Sequence, residues 1–192
     1  MKHIQRIIGL SLLMLLAGCS SGPYQASAPA LQQRAQVLAQ YGTAIVPGQG
    51  IGPIHVGMGM DQVQALLGQP DGTQYNPSGV VDVWRYISMN LYIMFTDSPT
   101  PTVRTVTTEV YTKSEVTFGE QTWDDGYPVQ TVYKTASGIQ LGSTSFDVQR
   151  AYGSGYADLG NEALMMIYQG QGISFRVTRA DKRVVSITVG QL

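Results

Sequence analysis

The sequence predicts an α+β fold built as a tandem repeat, each copy a short helix followed by a three- or four-stranded antiparallel sheet. Three observations lead there. First, the stretch Ile54 to Gly68, IHVGMGMDQVQALLG, returns from Ile139 to Gly153 as IQLGSTSFDVQRAYG, at a constant offset of 85 residues. The two share Ile54/Ile139, Gly57/Gly142, Val63/Val148, Gln64/Gln149 and Gly68/Gly153, where unrelated segments of this length share roughly one residue. Second, Trp84, Tyr86 and the run LYIMF from Leu91 are answered in the same order by Met166, Tyr168 and ISFRV from Ile173. Two copies of one supersecondary unit account for both matches. Third, 22 glycines and only 13% charged residues suit turn-rich antiparallel sheet better than a helical bundle.

The N-terminus reads as an export signal. Lys2, His3 and Arg6 form a basic start, Ile7 to Leu16 supply a short apolar run, and Leu16-Ala17-Gly18-Cys19 closes it with small residues. The run is shorter than the ~20 residues a membrane-spanning helix needs. The closing tetrapeptide resembles the bacterial lipobox, which implies cleavage after residue 18 and lipidation of Cys19, the single cysteine of the chain. A lone cysteine in an oxidising compartment has no internal disulfide partner, so lipidation also accounts for its solitude. At ~0.8 kcal/mol per buried methylene, two or three acyl chains tie the protein to a membrane. By resemblance to sorted lipoproteins, Ser20 in place of an aspartate after the cysteine implies the outer membrane, with the domain facing the periplasm. Without Lys2 and Arg6 the chain keeps 10 basic against 13 acidic residues. That balance gives no electrostatic case for nucleic acid.

Residues 19–43 read as a tether followed by a short helix. Ser20 to Ala30 are mostly Ser, Gly, Pro and Ala, too poor in apolar side chains to fold alone. Leu31, Ala35 and Leu38 then recur at helical spacing, with Gly42 in the stop position. Residues 44–118 form the first repeat and 119–192 the second. In the first, Gly57 and Gly59 permit a tight turn, Met60 to Leu67 form a two-turn helix, and Gly68 and Pro70 end it. In the second, Ser145 is placed to cap the helix and Gly153 ends it. Three strand-like runs follow each helix: Val80 to Ile87, Leu91 to Thr96 and Val103 to Val110, then Leu164 to Tyr168, Ile173 to Thr178 and Val184 to Val189. Alternation puts Leu91, Ile93 and Phe95 on the core side and Tyr92, Met94 and Thr96 on the other. Between the copies, Asp125-Gly126 signals a hairpin. Trp123 and Tyr127 beside it either cap the core at the junction or form an exposed recognition patch.

The pattern Val56-Gly57-Met58, Gln62-Val63, Leu66-Leu67-Gly68, Pro70, Trp84, Tyr86, Leu91, Ile93, Phe95, Val103 and Val106 resembles the SmpA/OmlA family of small outer-membrane assembly lipoproteins. The duplication is similar to the wider superfamily of two-repeat proteins like the β-lactamase inhibitor protein. The first resemblance implies a lipoprotein that binds or scaffolds other envelope proteins in outer-membrane protein assembly. The second implies a membrane-tethered inhibitor of a hydrolase such as a β-lactamase or protease.

The catalytic inventory is thin, and the chain reads as a non-enzyme. Once the leader is gone, His55 is the only histidine, and no serine or cysteine nucleophile can be placed beside it. No Cys or His set supplies a zinc site, and Asp124 with Asp125 falls short of the six or more oxygens a hard cation takes. Gly48-Gln49-Gly50-Ile51-Gly52-Pro53 lacks the third glycine and the flanking strand and helix of a dinucleotide loop. No cofactor and no small-molecule substrate are expected. Arg176, Arg179, Lys182 and Arg183 make a small basic patch, either a solvated hairpin or a contact for anionic head groups. Interfaces draw energy from aromatic, Met and Arg anchors. The expected partner-binding residues are therefore Tyr92, Met94 and Arg176 on the outer strand positions, with Trp123 and Tyr127 if their patch is exposed.

Overall fold

A computed structural model describes residues 26–109, 116–118, 121–123, 132–154 and 163–192; of the two three-residue pieces only the backbone is described. The expected leader, Cys19, Tyr127 and the side chain of Trp123 lie outside these residues. The fold is α+β, with helices packed on mostly antiparallel sheet.

In chain order, helix α1 covers Ala28–Tyr41, and three short strands follow: β1 (Ala44–Val46), β2 (Gly50–Ile51) and β3 (Ile54–His55). Helix α2 is Met60–Leu67. Strands β4 (Gly72–Tyr75), β5 (Val81–Tyr86), β6 (Leu91–Phe95) and β7 (Val103–Glu109) come next. The hairpin β8 (Val116–Phe118) and β9 (Gln121–Trp123) and the short β10 (Lys134–Thr135) lead to helix α3, Ser145–Tyr152. Strands β11 (Ala163–Tyr168), β12 (Ile173–Thr178) and β13 (Val184–Gly190) complete the described chain.

Helices α2 and α3 and strands β5, β6, β7, β11, β12 and β13 overlap the runs that alternation and spacing mark out, and four details differ. Ser27 caps α1 and Pro29 enters its first turn, so Ala28 to Ala30, read as tether, are helical. Thr144, not Ser145, caps α3: its hydroxyl accepts the Asp147 N–H while the Asp147 carboxylate accepts the Thr144 N–H, a reciprocal pair. Strand β4 adds a fourth member to the first meander. The glycine-rich stretch is a hairpin, Gly50 passing so close to Ile54 and His55 that a Cβ would sit 2.0 Å from the Ile54 carbonyl oxygen.

Seven strands form one continuous sheet in the order β11-β12-β13-β7-β6-β5-β4. The seam is β7 against β13, where Thr107 faces Thr188 and their hydroxyls lie 2.9 Å apart. A second sheet, β10-β1-β2-β3, lies with β2 against β7 and β13. One apolar core fills the space between: Val63 and Leu67 of α2, Val148 of α3, Ile45, Ile51 and Ile54 of the small sheet, and Tyr86, Ile93, Val106, Phe175, Ile187 and Val189 of the large one. Burial of such side chains is worth about 1.5–3 kcal/mol each.

Helices α2 and α3 are pinned to the sheet in the same way. Gly57 N–H donates to Val103 O and Val103 N–H to Met58 O, both at 2.8 Å; Gly142 N–H donates to Val184 O and Val184 N–H to Ser143 O, again at 2.8 Å. At the far helix ends, the Tyr86 hydroxyl donates to Gly68 O at 3.0 Å and the Tyr168 hydroxyl to Gly153 O at 2.8 Å. After each of these tyrosines a 3-10 turn ends on a left-handed residue, Asn90 (φ 54°) and Gly172 (φ 64°).

Candidate functional site

The large sheet has one face on the core and one turned away from it. On the outward face, Arg85, Tyr92, Thr107, Thr188, Ser174 and Ile167 form a single cross-strand row, each facing the next in register. On one side of it Met94 faces Thr105; on the other Glu109, Ser186 and Arg176 stand in line. The alternation of Leu91, Ile93 and Phe95 inward with Tyr92 and Met94 outward is as the period of two requires.

The outward face is less open than alternation alone suggests. Val83, Arg85, Thr105, Ser174 and Ser186 are buried, and Tyr92, Met94 and Arg176 are half-buried. The Arg85 guanidinium lies 4.4 Å from the Tyr92 ring centroid and contacts its hydroxyl, so cation and ring stiffen each other. Arg176 pairs with Glu109 across β13 at 3.3 Å, the two side chains 42% and 31% exposed. Exposed pairs of this kind contribute at most about 1 kcal/mol, so either partner is free to re-pair with an incoming group at little cost.

The fold brings Tyr92 and Met94 together on one strand. Arg176 is three strand spacings away, roughly 14 Å across the sheet. Both ends share one continuous surface, with the threonine pair at its centre. The basic patch is divided: Arg183 donates to Gly142 O at 2.8 Å and lies 4.0 Å from Asp181. Arg183 thus holds the β12–β13 turn against the turn before α3, while Arg176 faces Glu109 on the sheet.

Two sets of residues with clear structural roles escaped the sequence reading. Arg34 of α1 is 2% exposed and is held by Asp71 through both carboxylate oxygens at 2.8 Å. It also donates to Leu67 O and Gln69 O, capping the C-terminal end of α2, and its guanidinium lies 4.9 Å from the Tyr86 ring centroid. Asp71 in turn accepts the Ile87 N–H at 2.7 Å. No periodic signal marks such a pair, because its members lie 37 residues apart. The second is the juxtaposition of His55 at the end of β3, Met58 in the turn and Met60 at the start of α2, residues named singly from the sequence but not as a group.

Among the described residues no group of three or more His, Cys, Asp or Glu side chains is placed to hold a metal ion, and no helix is long and apolar enough to cross a membrane. No family model, curated protein or solved structure significantly matches the chain.

Proposed function

We propose that this is a non-catalytic, lipid-anchored envelope protein of the SmpA/OmlA type, a tandem duplication that binds or scaffolds other envelope proteins through the outward face of its sheet. The observation that carries the binding reading is the stripe of Tyr92, Met94 and Arg176 on one continuous surface whose opposite face is used up by the core. Aromatic, Met and Arg side chains are the types that dominate interface energetics. The Glu109 partner of Arg176 is exchangeable, and the Arg85 guanidinium stiffens Tyr92 before a partner arrives.

The duplication reading is supported by the paired hydrogen bonds at both helices, and by the seam. Val103 and Val184 receive the same helix turn, an offset of 81 that carries Thr107 onto Thr188. Those are the residues that face each other in the antiparallel register. Two equivalent strands meeting at equivalent residues define a local twofold axis through the threonine pair. Lipid anchoring rests on the Leu16-Ala17-Gly18-Cys19 junction; Cys19→Ala is expected to abolish palmitate incorporation, and retained label would contradict it.

The binding surface is tested by changing Tyr92→Ala and Met94→Ala together and measuring crosslinked envelope partners in intact cells. The double variant removes a contact of the buried Arg85, so its melting temperature is measured alongside to show that it stays folded, and it is expected to lose at least a few kcal/mol of partner affinity if both are anchors. Unchanged crosslinking yield would remove this face from consideration.

A further inference from the structure

From the end of β3 to the start of α2 the chain holds three nitrogen and sulfur donors within six residues: the imidazole of His55 and the thioethers of Met58 and Met60. His55 ends β3 and is exposed, while Met58 and Met60 are half-buried at the rim of the core. The backbone between them is fixed by the two 2.8 Å hydrogen bonds to Val103 and by Gly57 at φ 87°. The Met58 sulfur folds back to accept the His55 N–H at 3.2 Å, which places it against the residue that carries the imidazole.

Methionine is an unexpected choice for that hydrogen bond, because a thioether is a weak acceptor. The turn before α3 supplies the comparison. There, Ser143 accepts the Gln140 N–H at 3.0 Å, and the same pair of backbone bonds ties the turn to Val184. Gln140, Ser143 and Ser145 occupy the places of His55, Met58 and Met60, and both serines are half-buried as the methionines are. The backbone geometry therefore requires neither thioether. All three positions differ in the same direction, from hard amide and hydroxyl groups to softer donors.

Thioether sulfur is a soft, neutral ligand, and imidazole is borderline; together they suit Cu(I), whereas zinc prefers thiolate, imidazole and carboxylate and hard cations take oxygen. The flexible Met side chains can turn their sulfurs toward a common point at the cost of one weak hydrogen bond and part of their contact with the core rim. We propose that His55, Met58 and Met60 form a three-coordinate site for a soft monovalent cation, Cu(I), on the exposed side of this turn.

The test uses the full chain carrying Cys19→Ser, so that the only thiol does not compete. Anaerobic Cu(I) is titrated from its coloured complex with bicinchoninate. The protein is expected to withdraw one equivalent, unaffected by excess Zn(II), with sulfur in the copper coordination shell by X-ray absorption. Met58→Ser with Met60→Ser, which installs the residues the second turn already carries, should weaken Cu(I) binding by at least about 100-fold, more than loss of an outer-shell partner does. The double variant loses some apolar packing at the core rim, so its fold is checked by its melting temperature without copper, and a cooperative transition is expected. His55→Gln should weaken binding by about tenfold or more. The proposal is overturned if the parent withdraws no Cu(I), or if the double serine variant, still folded, binds as tightly through other methionines among the eight in the chain.

Discussion

Arg34 shows how a single side chain fastens the N-terminal helix to the rest of the molecule. Its guanidinium is buried against Asp71, two carbonyls at the end of α2 and the ring of Tyr86. Removing it strands a buried carboxylate, so Arg34→Ala should destabilise the fold by about 3–5 kcal/mol, read from chemical denaturation. Adding Asp71→Ala should cost less than the sum of the single changes, because the stranded charge goes too. Burial also pushes the phenols of Tyr86 and Tyr133 well above their ordinary value; at Tyr86 the Arg34 guanidinium opposes the rise and the Asp71 carboxylate adds to it. A folded-state acid held protonated in this way contributes stability that is complete below the unfolded phenol value of about 10 and is lost as pH rises beyond it. Melting temperature should therefore fall steeply above about pH 10, and Tyr133→Phe should reduce the fall; an unchanged alkaline profile in that variant would exclude Tyr133 from the effect.

At the scale of elements, Gly172 decides how the N-terminal hairpin meets the large sheet. It sits at φ 64°, its carbonyl accepts both the Gly48 N–H at 3.1 Å and the Gly190 N–H at 3.0 Å, and a Cβ would lie 2.6 Å from the Gly48 Cα. Gly172→Ala should cost at least about 2 kcal/mol, combining the left-handed conformation with a backbone clash. Gly138→Ala, at φ 79° with open space around it, should cost only the conformational part, about 1–2 kcal/mol. Equal melting temperatures for the two variants would mean that the hairpin yields. Elements whose length lets periodicity accumulate were legible in the sequence: α2 and the strands β5, β6, β7, β11, β12 and β13. The small sheet was not, because strands of two or three residues are too short to carry alternation. Strand β4, four residues with a buried glycine at its start, was missed for the same reason. The N-cap of α3 was misplaced by one residue because Thr144 and Ser145 are both competent and only the Asp147 spacing chooses between them.

For the whole molecule, the seam between β7 and β13 makes one sheet from two meanders, so the outward face is a single surface and not two separate ones. Periodicity could assign sides to Tyr92, Met94 and Arg176, but not their separation across four strands, which depends on which edges join. Nor could it foresee that Arg85 would be buried on the outward side and stacked on Tyr92. The central claim is that this joined face receives a protein partner. Site-specific photocrosslinking in the intact envelope tests it most directly, with the photoreactive side chain placed in turn at positions 94, 176 and, as a control on the exposed side of α2, 61. Positions 94 and 176 should yield adducts of the same size with the same partner, and position 61 none of that size. Adducts from 61 alone, or different partners from 94 and 176, would contradict a single binding face.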